Sequence, residues 1–261
     1  MSNYPYPHLF SPIEINGHRV KNRVVASAQA SAHGVQPGMN GYDNASEYQA
    51  QYMGLLARGG AGIVNTGHLG VDPRYQLGAL RYAFDFFSDR LHNHQLPILH
   101  LMSDNVHCYG ALASLELNHG GDMSTPFEGN KVLGPMYEEK ADGRIVVPMD
   151  VPEMERVAEY FANAAYVAKL GGFDIINIHA AHNWLLGKFL SPIANKREDD
   201  FGGTPENRAR FVAMVLKAIR DRVGPDMLLS MRYSVAELVE GGATLEESIR
   251  SIKVLAPYVD I

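Results

Sequence analysis

Short apolar runs alternate along the chain with stretches of helical period. Arg23–Ser27, Ala61–Thr66, Ala111–Leu117, Asp174–Ile178 and Met227–Met231 are largely apolar and bounded by glycines, prolines or charges. Runs of that length, without polar alternation, read as strands buried on both faces, as in a parallel sheet. The intervening segments read as amphipathic helices. Ser46–Arg58 ends at Gly59-Gly60, and Leu96–Tyr109 ends before Gly110. A third helix has Asp150 as N-cap and Glu153 at N3, a capping box, and stops at Gly171-Gly172. Thr204-Pro205 supplies an N-cap and a proline at N1 for a helix to about Val223, and Thr244 with Glu247 caps one more. Val259-Asp260-Ile261 reads as the opening of a sixth strand.

Repeated strand–helix units with no break in composition predict a single α/β domain over residues 1–261, and their spacing suits a (β/α)8 TIM barrel. No G-x-G-x-x-G follows the first strand, and the glycine pairs at 59-60, 171-172 and 241-242 read as helix C-caps or turns before a strand. Only five full units can be counted. Because an open parallel sheet leaves strand edges unpaired, the expectation is the N-terminal part of a longer barrel, truncated after about five units.

Composition narrows the partners. Twenty-three Lys and Arg against 29 Asp and Glu give a net charge of -6, with no basic cluster to hold nucleic acid or an anionic membrane. No apolar run approaches the roughly 20 residues of a membrane span, and the N-terminus lacks a signal-peptide pattern. The one cysteine, Cys108, excludes an internal disulfide or a cysteine-ligated cluster within these residues. The expectation is a cytoplasmic protein acting on a small molecule, with homo-oligomerisation left open.

The chemistry concentrates after the fourth strand, in His179-Ala180-Ala181-His182-Asn183-Trp184. In an α/β barrel the C-terminal ends of the strands carry the active site. One histidine there is usually a packed core residue; two at i and i+3 before a large aromatic suit that reading less. Both imidazoles could reach one atom if the backbone turned helical. The charged segment Asn195–Phe211 alternates acids with arginines, so it reads as structural, and no metal site is assigned.

With those residues stand Pro7-His8-Leu9-Phe10-Ser11-Pro12-Ile13, Lys21-Asn22-Arg23, Glu116-Leu117-Asn118-His119-Gly120-Gly121, Phe189-Leu190-Ser191-Pro192 and Phe201-Gly202-Gly203-Thr204 with Glu206-Asn207-Arg208. Along essentially its whole length the chain resembles the Old Yellow Enzyme family of FMN-dependent ene-reductases. It is most similar to the bacterial branch of NADH:flavin oxidoreductase and 2,4-dienoyl-CoA reductase-like proteins. The resemblance implies FMN, with NADH or NADPH as reductant, and reduction of the activated C=C bond of an α,β-unsaturated carbonyl compound. In a longer parent it also implies a 4Fe-4S cluster and FAD.

Residue by residue, the resemblance makes His179 and His182 donors to the substrate carbonyl. It sets Arg232, directly after the fifth strand, against the flavin's pyrimidine end. Ala26, Ser27 and Ala28 match the stretch whose backbone touches the flavin, with Ala28 where proline is common, and Gly67 matches a close backbone approach. Glu116 departs from the usual glutamine; it can accept from the flavin N–H, donate only if protonated, or pair with a nearby arginine. Trp184 stands where a tyrosine normally protonates the α-carbon, and Asn183 where glycine is frequent. Tyr42, His68, Tyr109 or solvent are left as proton sources. Flavin-dependent amine oxidation or demethylation also stays open, as does an incomplete barrel without flavin, since barrel phosphates are usually held after strands seven and eight.

Overall fold

The computed structural model describes residues 6–29, 42–76 and 96–261. Five strands lie side by side in chain order, all parallel: β1 (Val25–Ala26), β2 (Ile63–Asn65), β3 (Leu112–Asn118), β4 (Ile175–Ala180) and β5 (Leu228–Tyr233). After a four-residue helix at Pro7–Phe10, the helices are α1 (Tyr42–Arg58), α2 (Leu96–His107), α3 (Val151–Leu170), α4 (Leu185–Leu190), α5 (Pro205–Val223) and α6 (Leu245–Leu255). This is the strand–helix order of a TIM barrel, carried through five strands to form a half-barrel. Val259–Ile261 already follows β5, with Asp260 N–H donating to Leu229 O at 2.8 Å and Met231 N–H to Ile261 O at 3.1 Å. It is not yet a strand.

The two faces of the sheet differ. Val64, Leu115, Leu117, Ile176, Ile178 and Leu229 pack with the helices in the main core, where Phe161, Phe189 and Phe211 are fully buried. Each such side chain contributes about 1.5–3 kcal/mol by leaving water. The other face begins apolar: Ile63, Ile175 and Leu228 cluster with Val20 of a hairpin, Ile13–Ile15 with His18–Val20, that precedes β1. That hairpin closes the N-terminal end of the half-barrel. Further along the strands the same face carries Asn65 opposite Ser114, then Glu116, Asn177 and Ser230 in one register, and then His179 opposite Arg232.

Several boundaries move. His179 and Ala180 lie inside β4, and Arg232 lies inside β5 instead of directly after it. The long connection before α3 holds a small sheet of Lys131–Gly134, Glu138–Glu139 and Ile145–Pro148. The α3 capping box is half made. Asp150 accepts from Glu153 N–H at 2.9 Å, but the Glu153 carboxylate is held by Arg74 and Arg156. At α6 the box is complete between Thr244 and Glu247.

Candidate active site

After Ala180 the backbone does not turn helical. His182 and Asn183 both take positive φ, 54° and 60°, and Trp184 N–H closes the turn on Ala181 O at 3.2 Å. Asparagine is among the few residues that tolerate this region, which accounts for Asn183 where a glycine would be at ease. The turn folds His182 back onto the strand it has just left.

A directed hydrogen-bond chain results. Ala181 N–H donates to His179 Nδ1 at 3.3 Å, so the His179 proton sits on Nε2 and points at His182 Nδ1, also 3.3 Å away. His182 Nδ1 therefore accepts, and its own proton is on Nε2, at the exposed end of the chain. Burial, reinforced by the positive charge of Arg232 and by the neighbouring imidazoles of His182 and His68, pushes His179 down to about 3, so it remains a neutral relay. The two imidazoles are brought together, but one donates to the other, leaving a single outward N–H. Their rings meet edge-on with centroids 5.1 Å apart, and Trp184 lies 6.3 Å from His179.

A second polar chain crosses the strands beneath them. Ser230 Oγ donates to Asn177 Oδ1 at 2.8 Å, and Asn177 Nδ2 donates to Glu116 Oε2 at 2.7 Å. Arg232 approaches the same oxygen at 3.7 Å. Neither Asn177 nor Ser230 stands out in the sequence, where Asn177 is one polar letter in an apolar run. The alternation of Asn177 with His179 was the available signal.

Buried and 1% exposed, Glu116 has a carboxyl pushed up to about 7 by burial, with Arg232 pulling the other way. The folded state thus holds this proton more tightly than the unfolded chain. The resulting stabilisation is present below about 4.5 and is lost as pH rises through about 7. Glu116→Gln should flatten the stability–pH curve over that window by about 3 kcal/mol. Urea unfolding of both proteins at pH 5 and pH 8 measures this, and equal slopes would refute it.

Ala26 at the end of β1, Ser27 and Ala28 just after it, and Gly67 after β2 lie at the same C-terminal ends, and Asn65 Nδ2 ties this rim together by donating to Ala26 O at 3.1 Å. His68 follows Gly67, its ring 5.3 Å from Trp184 and 6.4 Å from His179. Tyr109 lies elsewhere: it follows α2 and precedes β3, at the opposite end of the strands, where its carbonyl accepts from Lys21. The Tyr42 side chain lies outside the described residues. A cavity of about 430 Å³ opens beside His182 and Asn183, lined also by Lys188, Tyr233 and Ser234, within the size range of small-molecule sites.

Ion pairs the sequence did not suggest brace this mouth. Buried Asp72 accepts from Arg74 at 2.6 Å and from His119 Nε2 at 3.1 Å, and these contacts hold its carboxyl well below the usual range against the opposing effect of burial. Lys140 and Lys188 converge on buried Asp122. In the charged segment, Arg197 pairs with Asp199, Arg208 with Glu247, and Glu206 with Arg250.

Ser114 Oγ, Glu116 Oε1 and both polar atoms of the Asn118 side chain are buried with no hydrogen-bond partner among the described residues. Unsatisfied buried polar atoms cost free energy unless a ligand completes them. A flat heterocycle with its own donors and acceptors, set against Arg232, would complete them, and the ring of FMN has that character.

The family model for NADH:flavin oxidoreductase / NADH oxidase matches residues 8–260. The chain belongs to that family. An NADH oxidase of Thermoanaerobacter brockii is 32% identical over 261 residues, covering 96% of this chain and 37% of its own length. Among solved structures, histamine dehydrogenase from Rhizobium sp. 4-9 superposes with a TM-score of 0.83 at 25% identity, over 97% of this chain and 36% of that one. A 2-naphthoyl-CoA reductase gives 0.81 at 27%, over 98% and 40%. The chain thus spans under half the length of each of these relatives. Solved Old Yellow Enzyme homologues share the fold, and among the described residues no helix is long and apolar enough to cross a membrane.

Proposed function

We propose that this site, within its full-length parent, reduces the C=C bond of an α,β-unsaturated carbonyl compound at the expense of NADH or NADPH. FMN, when bound, supplies the two-electron chemistry of this family, with Glu116, Arg232, Gly67 and the Ala26–Ala28 backbone as the residues that would hold its ring. The observation that carries the reading is the imidazole chain. It ends in one N–H on His182, fixed in direction by two preceding hydrogen bonds. A preorganised donor of this kind stabilises an oxygen that gains negative charge as the alkene is reduced. Arg232 adds a fixed positive charge to the same mouth, and the indole of Trp184 offers a flat wall to a planar substrate.

The likeness to histamine dehydrogenase keeps amine oxidation as a second reading. A protonated amine would meet the Arg232 guanidinium here, while the Glu116 carboxyl beside it is held towards its neutral form. That charge pattern favours an electron-rich oxygen over a cationic nitrogen. Supplying the full-length, FMN-loaded protein with NADPH and cyclohex-2-enone, and separately with dimethylamine and an electron acceptor, tests the choice. Enone-dependent NADPH consumption with formation of cyclohexanone is expected. Amine turnover without enone reduction would replace this reading with the second.

A further inference from the structure

The reduction of an activated alkene places a proton on the α-carbon, and Trp184 has no acid to give. We infer that His68 is the proton donor to that carbon, a catalytic residue of the reaction proposed above and dependent on that reading. Three imidazoles meet at the mouth of the half-barrel, and hydrogen bonding divides them by role. His179 has both ring nitrogens engaged, one by Ala181 N–H and one by His182. His182 has one nitrogen engaged and one free for the carbonyl oxygen. His68 makes no side-chain hydrogen bond among the described residues, so both its nitrogens are open to a ligand and to water.

Position supports the assignment. His68 arrives from the end of β2, while the two histidines of the relay come from β4, so a substrate lying over this cluster would be met from two strands. Its ring is tilted 53° against the Trp184 indole at 5.3 Å, standing beside the side chain that replaces the usual acid. Tyr109 is excluded by its place at the opposite end of the strands. Burial, reinforced by Arg232, also lowers the basicity of His68, which favours the neutral ring.

A neutral imidazole balances the step without a net change in its own charge. FMN, when bound, would supply the hydride equivalent to the β-carbon, and the π electrons would pass to the α-carbon and carbonyl oxygen. One His68 nitrogen gives its proton to the α-carbon, forming the new C–H bond as its N–H bond breaks, while the other nitrogen takes a proton from water, and the enolate's negative charge leaves to solvent as hydroxide. The ring ends as its other tautomer, and the substrate has gained one hydride and one proton.

The test uses the full-length, FMN-loaded enzyme. First, the oxidised protein, without NADPH, is titrated with cyclohex-2-enone while the His68 Cε1–H resonance, identified by its loss in His68→Phe, is followed by NMR. Second, enone reduction is timed in wild type, His68→Phe and His68→Gln. The resonance is expected to shift on enone binding. Both variants are expected to bind the enone within about threefold of wild type and to reduce it about a hundredfold more slowly, the ordinary scale of general acid catalysis. A resonance that does not move, or variants within threefold of the wild-type rate, would overturn the role of His68 and leave the proposed function standing. A wild type that reduces no enone would remove both.

Discussion

Replacing His182 with alanine is expected to slow enone reduction by about a hundred- to a thousandfold, the cost of deleting one preorganised donor to a developing oxyanion. The bound flavin should be unaffected, because His182 is exposed and takes no part in the Glu116–Asn177–Ser230 hydrogen bonds. His179 provides the sharper check. If it acts by fixing the His182 tautomer, His179→Ala should slow the reaction substantially, yet the double variant should be scarcely slower than His182→Ala alone. Residues that work as one unit are not additive. Steady-state rates of the four proteins, each with its flavin content measured, decide the matter. Additive losses would mean that both rings contact the substrate, as the family resemblance implies, and that the relay is not the working arrangement.

The largest expected effect on stability lies away from the chemistry, at Arg208. This side chain is 4% exposed and makes three contacts in three directions: to Leu190 O at 3.0 Å, to Gly203 O at 2.6 Å and to Glu247 at 3.0 Å. It therefore ties the end of α4, the loop before α5 and the cap of α6 to one guanidinium. Arg208→Ala strands the buried Leu190 carbonyl, the part-buried Gly203 carbonyl and an acidic partner, and should cost about 3–5 kcal/mol. That is a large share of the 5–15 kcal/mol by which a domain is usually stable. Arg210, two residues on, serves as the control. It is half exposed and 3.5 Å from a largely exposed Asp200, and its loss should cost no more than about 1 kcal/mol. Urea denaturation of both variants measures the contrast, and equal losses would show that Arg208 carries no special load.

What could be read in advance was whatever local chemistry determines. The strands were visible as apolar runs because both their faces are covered, and the α5 and α6 caps because Thr204 and Thr244 act within three residues of themselves. The position of His179 and His182 at the strand mouth followed from the same pattern. Three features were hidden for a common reason. The Ile13–Val20 hairpin finds its role only against Ile63, Ile175 and Leu228. Glu153 leaves its helix cap for Arg74, 79 residues away. Asp72 is claimed by His119 across 47 residues. The turn at His182 was missed because i, i+3 spacing suggests a helix wherever the backbone can form one, and nothing local requires two successive left-handed residues.

Those two left-handed residues also set how far the site can be altered. Position 183 has room for glycine or asparagine, but a β-branched residue would strain the turn. Saturation mutagenesis there should return few active clones, and those few would owe their survival to backbone shape and not to any contact with substrate. At position 182 the histidine itself occupies the disfavoured region, so variation at its neighbour will reach the reaction through the direction of a ring. Attempts to widen the substrate range are better aimed at Trp184, whose φ of -70° is ordinary, so that its exchange leaves the left-handed turn in place.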